Sequence, residues 1–371
     1  MLLIKTTRDA LLKPLQTVAG IIERRQAYPI LSNVLIRQDQ EKATFLASDM
    51  DIQIKTELTS SLAAEQNFSI TVSAKKFLDI LRSLPADSEI RCTRQDDQLR
   101  VRSGKSTFNL QILPAEDFPE IVEVSEPEAV VIVTQKILKN LLHHVQFCIA
   151  QQNIRYYMNG LLLSTEEKQL TGVSTDGHRM ALLVTQSDQM QPRHEVIIPR
   201  KTAIELSKQL IDSDDPVKIE YFQKKVRFSF ANISLISKVI EGKFPDYNRV
   251  IPQNNNKSFE INRLMLLQSL QRVSILSNTN ENFRGVRLII DPGILCIICK
   301  NSDQEEAREE LEIEYQQESL DISMNISYLL DLLSAIDSEK IQLAFENENS
   351  SVLITIPGDD KFKYIVMPMR I

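Results

Sequence analysis

No apolar run in this sequence approaches the roughly 20 residues needed to span a bilayer, so no membrane segment is expected. The first residues, MLLIKTTRDALLKP, lack a basic start, a sustained apolar stretch and a cleavage site. No signal peptide is expected from them, and the expected address is cytoplasmic. Four cysteines in 371 residues are too few for a disulfide framework. Cys296 and Cys299 form a C-x-x-C, but they lie in a continuous apolar strand, GILCIICK, where residues three apart point to opposite faces. That suits neither a metal nor a redox pair, and both read as core. Histidine is as scarce: there are four, and His143, His144 and His194 sit in unrelated contexts. Neither a phosphate loop, nor H-E-x-x-H, nor G-x-S-x-G occurs. An enzyme reading has to centre on Thr175-Asp176-Gly177-His178-Arg179, which mixes an acid, a histidine and a flexible glycine without a convergent nucleophile. Gly177 is better explained as a turn with positive φ between two strands. No catalytic residue, metal or cofactor is therefore expected, and an enzyme centred on His178 is the alternative.

What the chain does have is repetition. ITVSAKKFLDILRSLPADSEIRC at 70–92, IIPRKTAIELSKQLIDSDDPVKIEY at 197–221 and ISMNISYLLDLLSAIDSEKIQLAF at 322–345 share one plan, roughly 125 residues apart. Each has a short apolar strand, a polar residue where a helix begins, two or three apolar helical turns, an acidic turn and an alternating strand. A helix-period segment opens each third, at 7–21, 134–149 and 261–277. An aromatic or apolar residue before proline closes it: Phe118-Pro119, Phe244-Pro245 and Met367-Pro368. The expected fold class is α+β, three tandem copies of one domain at 1–127, 128–256 and 257–371. Within the first copy Thr7 is expected to cap the opening helix and Pro14 to kink it or split off its first turn. The hairpin at 98–113 is expected to turn at Ser103-Gly104 and to form an edge, with Phe108 and Leu110 on one face. The run 303–310, DQEEAREE, reads as a solvated acidic turn.

A net charge of −7 argues against nucleic acid if taken alone. Its distribution argues otherwise. The six helix-period segments together carry +8, which leaves −15 for the rest of the chain. Such a protein has one basic and one acidic face. The paired tyrosines of QQNIRYYMNG (151–160), next to an arginine, offer a surface for stacking or phosphate contact. The C-terminus, YIVMPMRI, is strongly apolar and reads either as buried core or as one wall of a groove for partner peptides.

Eight stretches complete the picture: LLKPL (11–15), RYYMNG (155–160), TDGHRM (175–180), VIIPRK (196–201), FPDYNRV (244–250), FRGVRL (283–288), NISYLLDLL (325–333) and MPMRI (367–371). On these, along its entire length, the chain resembles the family of bacterial sliding clamps, the beta subunits of DNA polymerase III. The resemblance implies a DNA-clamp domain in each copy and a head-to-tail homodimer. It implies a six-domain ring, helices lining the inside and sheets the outside, that encircles double-stranded DNA without reading sequence. It implies a non-catalytic processivity factor for DNA replication. Implied DNA contacts are Arg25, Lys75, Gln152, Tyr156 and Tyr157, with Arg200 and Lys201 secondary. An implied groove between the second and third domains uses Met158, Thr175, Gly177, His178, Arg179, Met180, Pro245, Arg249, Val250, Asn325, Tyr328, Ser351, Ile365, Met367, Pro368, Met369, Arg370 and Ile371. It would accept peptides from the DNA polymerase III alpha subunit, the clamp loader, other polymerases, repair proteins and ligase, with no membrane partner. Met158 and Met180 stand where leucines are commoner, a near volume-neutral change. The implied dimer seam sets Phe108 and Leu110 against Ile275 and Leu276 of a second copy, and Lys105 against Asp303, Glu305, Glu306 and Glu309. Thr107 and Gln98 depart from the family's arginines there, so a seam held mainly by apolar contact is expected.

Overall fold

The sequence writes its helices as short amphipathic blocks between strands, and the structure, a computed structural model, keeps that plan. It describes residues 1–23, 28–39, 42–58, 66–122, 125–277 and 285–369, with backbone alone for 188–191. The first third runs β1 (Leu2–Thr7), α1 (Arg8–Ala19), β2 (Asn33–Asp39), β3 (Lys42–Ser48), β4 (Ile52–Leu58), β5 (Phe68–Ser73), α2 (Ala74–Ser83), β6 (Glu89–Gln95), β7 (Gln98–Ser103) and β8 (Ser106–Leu113). The second runs β9 (Ala129–Thr134), α3 (Gln135–Val145), β10 (Gly160–Thr175), β11 (Arg179–Pro199), α4 (Arg200–Gln209), β12 (Pro216–Phe222), β13 (Lys225–Phe230) and β14 (Ile233–Lys238). The third runs β15 (Lys257–Asn262), α5 (Arg263–Val273), β16 (Gly285–Asp291), β17 (Ile294–Lys300), β18 (Glu306–Glu312), β19 (Leu320–Asn325), α6 (Ile326–Ala335), β20 (Lys340–Phe345), β21 (Val352–Ile356) and β22 (Asp359–Val366).

One topology serves all three. The opening strand pairs antiparallel with the strand after the second helix: β1 with β6, β9 with β12, β15 with β20. Three strands then close each copy as a meander. Between the helices β2 pairs β5 and β3 pairs β4, as β16 pairs β19 and β17 pairs β18. The second copy draws those four strands out into two: 160–165 face 194–199, and 169–175 face 180–186. The join falls at Glu167, whose φ of +51° marks a bulge in the ladder.

A further pairing links copies. The last strand of the second, β14, pairs with β4 of the first, and the last strand of the third, β22, pairs with β11 of the second. The middle copy is thereby shared between two compact units, 1–136 with 204–239 and 137–203 with 240–371. The first unit holds a sheet of order β1-β6-β7-β8-β5-β2-β3-β4-β14-β13-β12-β9. The second holds β10-β11-β22-β21-β20-β15 and, separately, β18-β17-β16-β19.

Local chemistry accounts for some of the helices and their ends. α2 buries Ala74, Phe77, Leu78 and Leu81, the helical spacing read from the sequence. Asn262 and Asn325 cap α5 and α6, accepting from the backbone N–H groups of Met265 (3.0 Å) and Ser327 (2.9 Å). Each cap contributes about 1 kcal/mol. Thr7 occupies the corresponding place on α1, yet its side chain makes no capping bond. Nor does Pro14 interrupt α1, which is a single helix through it. Leu11, Leu15 and Val18 are fully buried on the same face, and burying such side chains at about 1.5–3 kcal/mol each offsets the missing backbone bond.

Three further expectations need correcting. The acidic run is not all turn: Glu306–Glu312 is the strand β18, held against apolar β17 and burying Leu311. The 98–113 hairpin turns at Gly104 and Lys105, with Gly104 at φ +54°. Its second strand is not a simple edge, because Ile112 and Leu113 of β8 pair with Val72 and Thr71. Residues 106–111 nevertheless keep only one strand neighbour among the described residues. Cys92, Cys148, Cys296 and Cys299 are free and buried. Among the described residues no group of three or more metal-ligating side chains converges, and no helix is long and apolar enough to cross a membrane.

Candidate functional site

The turn that begins β11 is built from its own sequence. The Thr175 hydroxyl accepts from the N–H of Gly177 (3.0 Å), and Asp176 Oδ1 accepts from those of His178 (2.9 Å) and Arg179 (3.0 Å). Gly177 sits at φ +93°, where a Cβ would also lie 2.5 Å from the Arg155 guanidinium. The first copy repeats this turn at 48–53: Ser48 accepts from Met50 N–H (3.2 Å), and Asp49 Oδ1 from Asp51 (2.9 Å) and Ile52 (2.8 Å). Asp176 is thus held by the backbone of its own turn and by the Arg179 side chain.

Beside the turn, within the second unit, lies a cavity of about 760 Å³. Of its lining, Met180, Phe244 and Ile365 belong to an apolar cluster with Leu162, Val173, Leu182 and Ile197, with Tyr157, Tyr247 and Ile251 against it. Of the expected groove residues, Met158, Thr175, Gly177, His178, Arg179, Met180, Pro245, Arg249, Val250, Ser351, Ile365 and Met367 line this cavity. Met158, Met180 and Ile365 are buried, whereas Val250 is 53% and Met367 49% exposed. Met367 is held at the rim by its backbone N–H, which donates to the His178 carbonyl (2.9 Å).

Arg179 faces away from the solvent. Its guanidinium donates to Asp176 (3.1 Å), to Asp331 on α6 (2.7 Å) and to the Phe147 carbonyl (3.1 Å), and lies 4.3 Å from the Tyr328 ring centroid. Burial opposes its charge, but Tyr364, Cys148, Asp331 and Asp176 together hold its pKa above the ordinary guanidinium value. It fastens the turn to α6. Asn325, Tyr328, Pro368 and Met369 do not line the cavity. Asn325 caps α6, Tyr328 stacks on Arg179, and the Met369 N–H donates to the Ser323 carbonyl (2.7 Å). Arg370 and Ile371 lie outside the described residues. Sequence reasoning missed a second wall formed by 252–255 and by Glu346, Asn349 and Ser350. Asn255 ties its two parts together, donating to the carbonyls of Ala344 (2.8 Å) and Ser351 (3.0 Å).

The expected DNA contacts are dispersed. Arg25 lies outside the described residues. Lys75 is exposed on α2, and Gln152 is exposed with φ +53°. Tyr156 is 57% exposed, while Tyr157, edge-on to it at 5.8 Å, turns into the groove cluster. Arg200 is half-buried and donates to the Ile149 carbonyl (2.8 Å), and Lys201 is half-buried at the start of α4. Lys13, Lys76, Arg82, Lys136, Lys208 and Arg272 are exposed on their helices.

At the expected seam, Lys105 is exposed at the hairpin turn, Phe108 half-buried and Leu110 buried. Ile275 is 77% exposed and Leu276 half-buried in the turn after α5. Asp303, Glu305 and Glu306 are exposed. Glu306 already pairs with Lys300 (2.8 Å) and Glu309 with Arg272 (2.6 Å), and these hydrogen bonds lower both carboxyl pKa values.

Models of three domains match the chain in order: the DNA polymerase III beta subunit N-terminal domain over 2–122, its central domain over 132–246 and its C-terminal domain over 248–370. The beta sliding clamp of Pseudomonas putida is 40% identical over 365 residues, covering 98% of each chain. That of Escherichia coli is 38% identical over 364 residues, with the same coverage. Among solved structures, a Pseudomonas aeruginosa sliding clamp bound to griselimycin superposes with a TM-score of 0.92 at 38% identity over all of both chains. A Bartonella birtlesii clamp bound to griselimycin gives 0.92 at 34% identity, covering 99% of each.

Proposed function

The chain belongs to the DNA polymerase III beta-subunit family, the beta sliding clamps, and from that premise we propose how its own residues do a clamp's work. Proteins of this family are non-catalytic processivity subunits, and this chain is one. Two copies close head to tail into a ring of six domains around duplex DNA, working in the cytoplasm. Each copy contributes domains at 1–127, 128–256 and 257–371.

The observation that carries this reading is the rule by which copies join. The last strand of a copy adds to the fourth strand of the copy before it, β14 to β4, or to its counterpart, β22 to residues 179–183 at the start of the long strand β11. That rule leaves two strands unmatched: β8, the last of the first copy, and β18, the fourth of the third, which is the outer strand of its sheet. Strand β8 of one protomer therefore completes β18 of the next, and a two-fold repetition closes the ring. Phe108 and Leu110 meet Ile275 and Leu276 there. Glu306 and Glu309 are neutralised within their own chain, and Thr107 and Gln98 carry no charge, so the contact is mainly apolar. The dimer dissociation constant is expected to change little across a salt series, and a steep loss of dimer with added salt would contradict this seam.

The helices, +8 in total, face DNA phosphates with Lys75, Gln152 and Tyr156, together with Arg25, Tyr157, Arg200 and Lys201. Enclosure replaces grip, so weak screened contacts suffice and permit sliding. The groove at 175–180 takes short apolar peptides from the polymerase alpha subunit, the clamp loader, other polymerases, repair proteins and ligase. Deleting 367–371 is expected to abolish polymerase stimulation while the ring still assembles, and retained stimulation would refute the groove. Replacing His178 by alanine separates this from a DNA-binding enzyme: a groove loses peptide affinity modestly, an enzyme its turnover.

A further inference from the structure

Most charges around the groove are answered within the chain. Arg179 is held by Asp176 and Asp331, and Arg249 by Asp246 at 2.8 Å. Two are not. The Arg155 guanidinium lies against Gly177 at one side of the cavity, exposed and without an ion pair among the described residues. Glu346 lines the other side, exposed, accepting from the Ser350 hydroxyl (3.1 Å) and forming no ion pair among the described residues.

Strand register fixes how far Glu346 lies from His178, the neighbour of Gly177. Met180 pairs with Ile365, Ile365 with Leu353 and Leu353 with Ala344, across four neighbouring strands. Two residues further, past the ends of those strands, the same row continues as His178, Met367, Ser351 and Glu346. All four line the cavity, and the Met367 N–H to His178 carbonyl bond keeps the row in step. Glu346 is thus three strand spacings from His178, about 14 Å, which about four residues of extended chain would span.

We propose that this groove reads charge as well as apolar side chains, and that Glu346 is a specificity-determining residue. It selects client segments with a basic residue about four positions from an acidic one, the acid lying by Arg155. This rests on the groove being the client site. A client lacking the basic residue leaves Glu346 unanswered, and one with a second acid there is repelled.

The test uses the full chain and two labelled synthetic peptides with one apolar core, flanked by Asp and Lys in either order, followed by fluorescence anisotropy at low salt. One order is expected to bind about fivefold tighter, as two exposed charge contacts allow. Glu346→Gln is expected to reduce that preference to about twofold, leaving the contribution of Arg155. Glu346→Lys is expected to make a third peptide, with Asp on both flanks, the tightest. Binding of both orders with an unchanged preference in Glu346→Gln, or with none in the native chain, overturns this inference alone. Failure of every peptide to bind the native chain overturns the groove reading and this with it.

Discussion

Where β14 joins β4 in the first unit, the Lys238 N–H donates to the Asp51 carbonyl (2.8 Å), and where β22 joins β11 in the second, Met367 makes the same bond to His178 (2.9 Å). Both junctions carry the same turn, Ser48-Asp49-Met50 in one and Thr175-Asp176-Gly177 in the other. They part at a few side chains. In the first, Lys238 forms an ion pair with Asp51 (2.9 Å), and Gln53 bonds both backbone groups of Ile121, accepting from its N–H (2.7 Å) and donating to its carbonyl (3.3 Å). In the second, methionine replaces the lysine, histidine the aspartate and Met180 the glutamine, and Tyr247 follows Phe-Pro-Asp as Ile121 follows Phe-Pro-Glu. The polar stitching is gone, and Met180, Phe244, Tyr247, Ile365 and Met367 line the groove in its place. One scaffold thus yields a junction stitched by polar side chains and one lined by apolar side chains, and side-chain polarity makes the difference.

That comparison can be broken at several points. The largest effect is expected at Arg179, the buried cation that fastens the second turn to α6. Arg179→Ala leaves Asp176 and Asp331 without their partner and should cost about 2–4 kcal/mol, read by denaturant unfolding. Arg179→Lys should rescue little of it, lacking the planar fork and the stacking on Tyr328. A loss below the scatter of the titration would mean that the turn stands without it. Next, Met180→Gln carries the first junction's residue into the second. Burying an amide in the groove floor should weaken client-peptide binding about tenfold by anisotropy, with the ring intact by sedimentation. Gln53→Met is the reciprocal change. Losing two hydrogen bonds should cost about 1–2 kcal/mol in unfolding experiments while leaving peptide affinity alone; a gain of peptide binding would mean that one residue is enough to open a site.

The smallest expected effect depends on pH. His144 packs edge-on to Phe362 of β22 (5.5 Å), with its Nδ1 bonded to the Asn140 carbonyl (2.9 Å). Burial lowers its pKa, against the pull of Asp337 and Asp359 and with the push of His143. The folded chain therefore binds fewer protons there than the unfolded chain. That contribution to stability is full above the ordinary value of 6.5 and is lost as pH falls below it. The melting-temperature advantage of the native chain over His144→Gln should shrink on acidification, and a constant gap would contradict the assignment.

Repeats, helices and the 175–180 turn were legible because local periodicity and turn chemistry write them directly. Strand β18 was not, because EAREELE is charged at five of seven positions and owes its conformation to pairing with β17. The second wall of the groove was equally hidden. Asn255, Glu346 and Ser350 belong to polar connections, brought together by the pairing of β15 with β20 and by the bonds from Asn255 to Ala344 and Ser351. Nor could periodicity reveal that β14 and β22 each complete a sheet begun in the preceding copy, since such pairings span long stretches of chain. The unbroken α1 teaches the same lesson: burial of Leu11, Leu15 and Val18 overrides the local preference of Pro14.

Retention on circular against linearised DNA tests the central claim most directly. Loaded onto a closed circle, the protein should stay bound through gel filtration in salt that screens phosphate contacts, and should leave once the circle is cut. Equal retention on both forms, or salt-driven loss from the circle, would show that it holds DNA by affinity and not by enclosure.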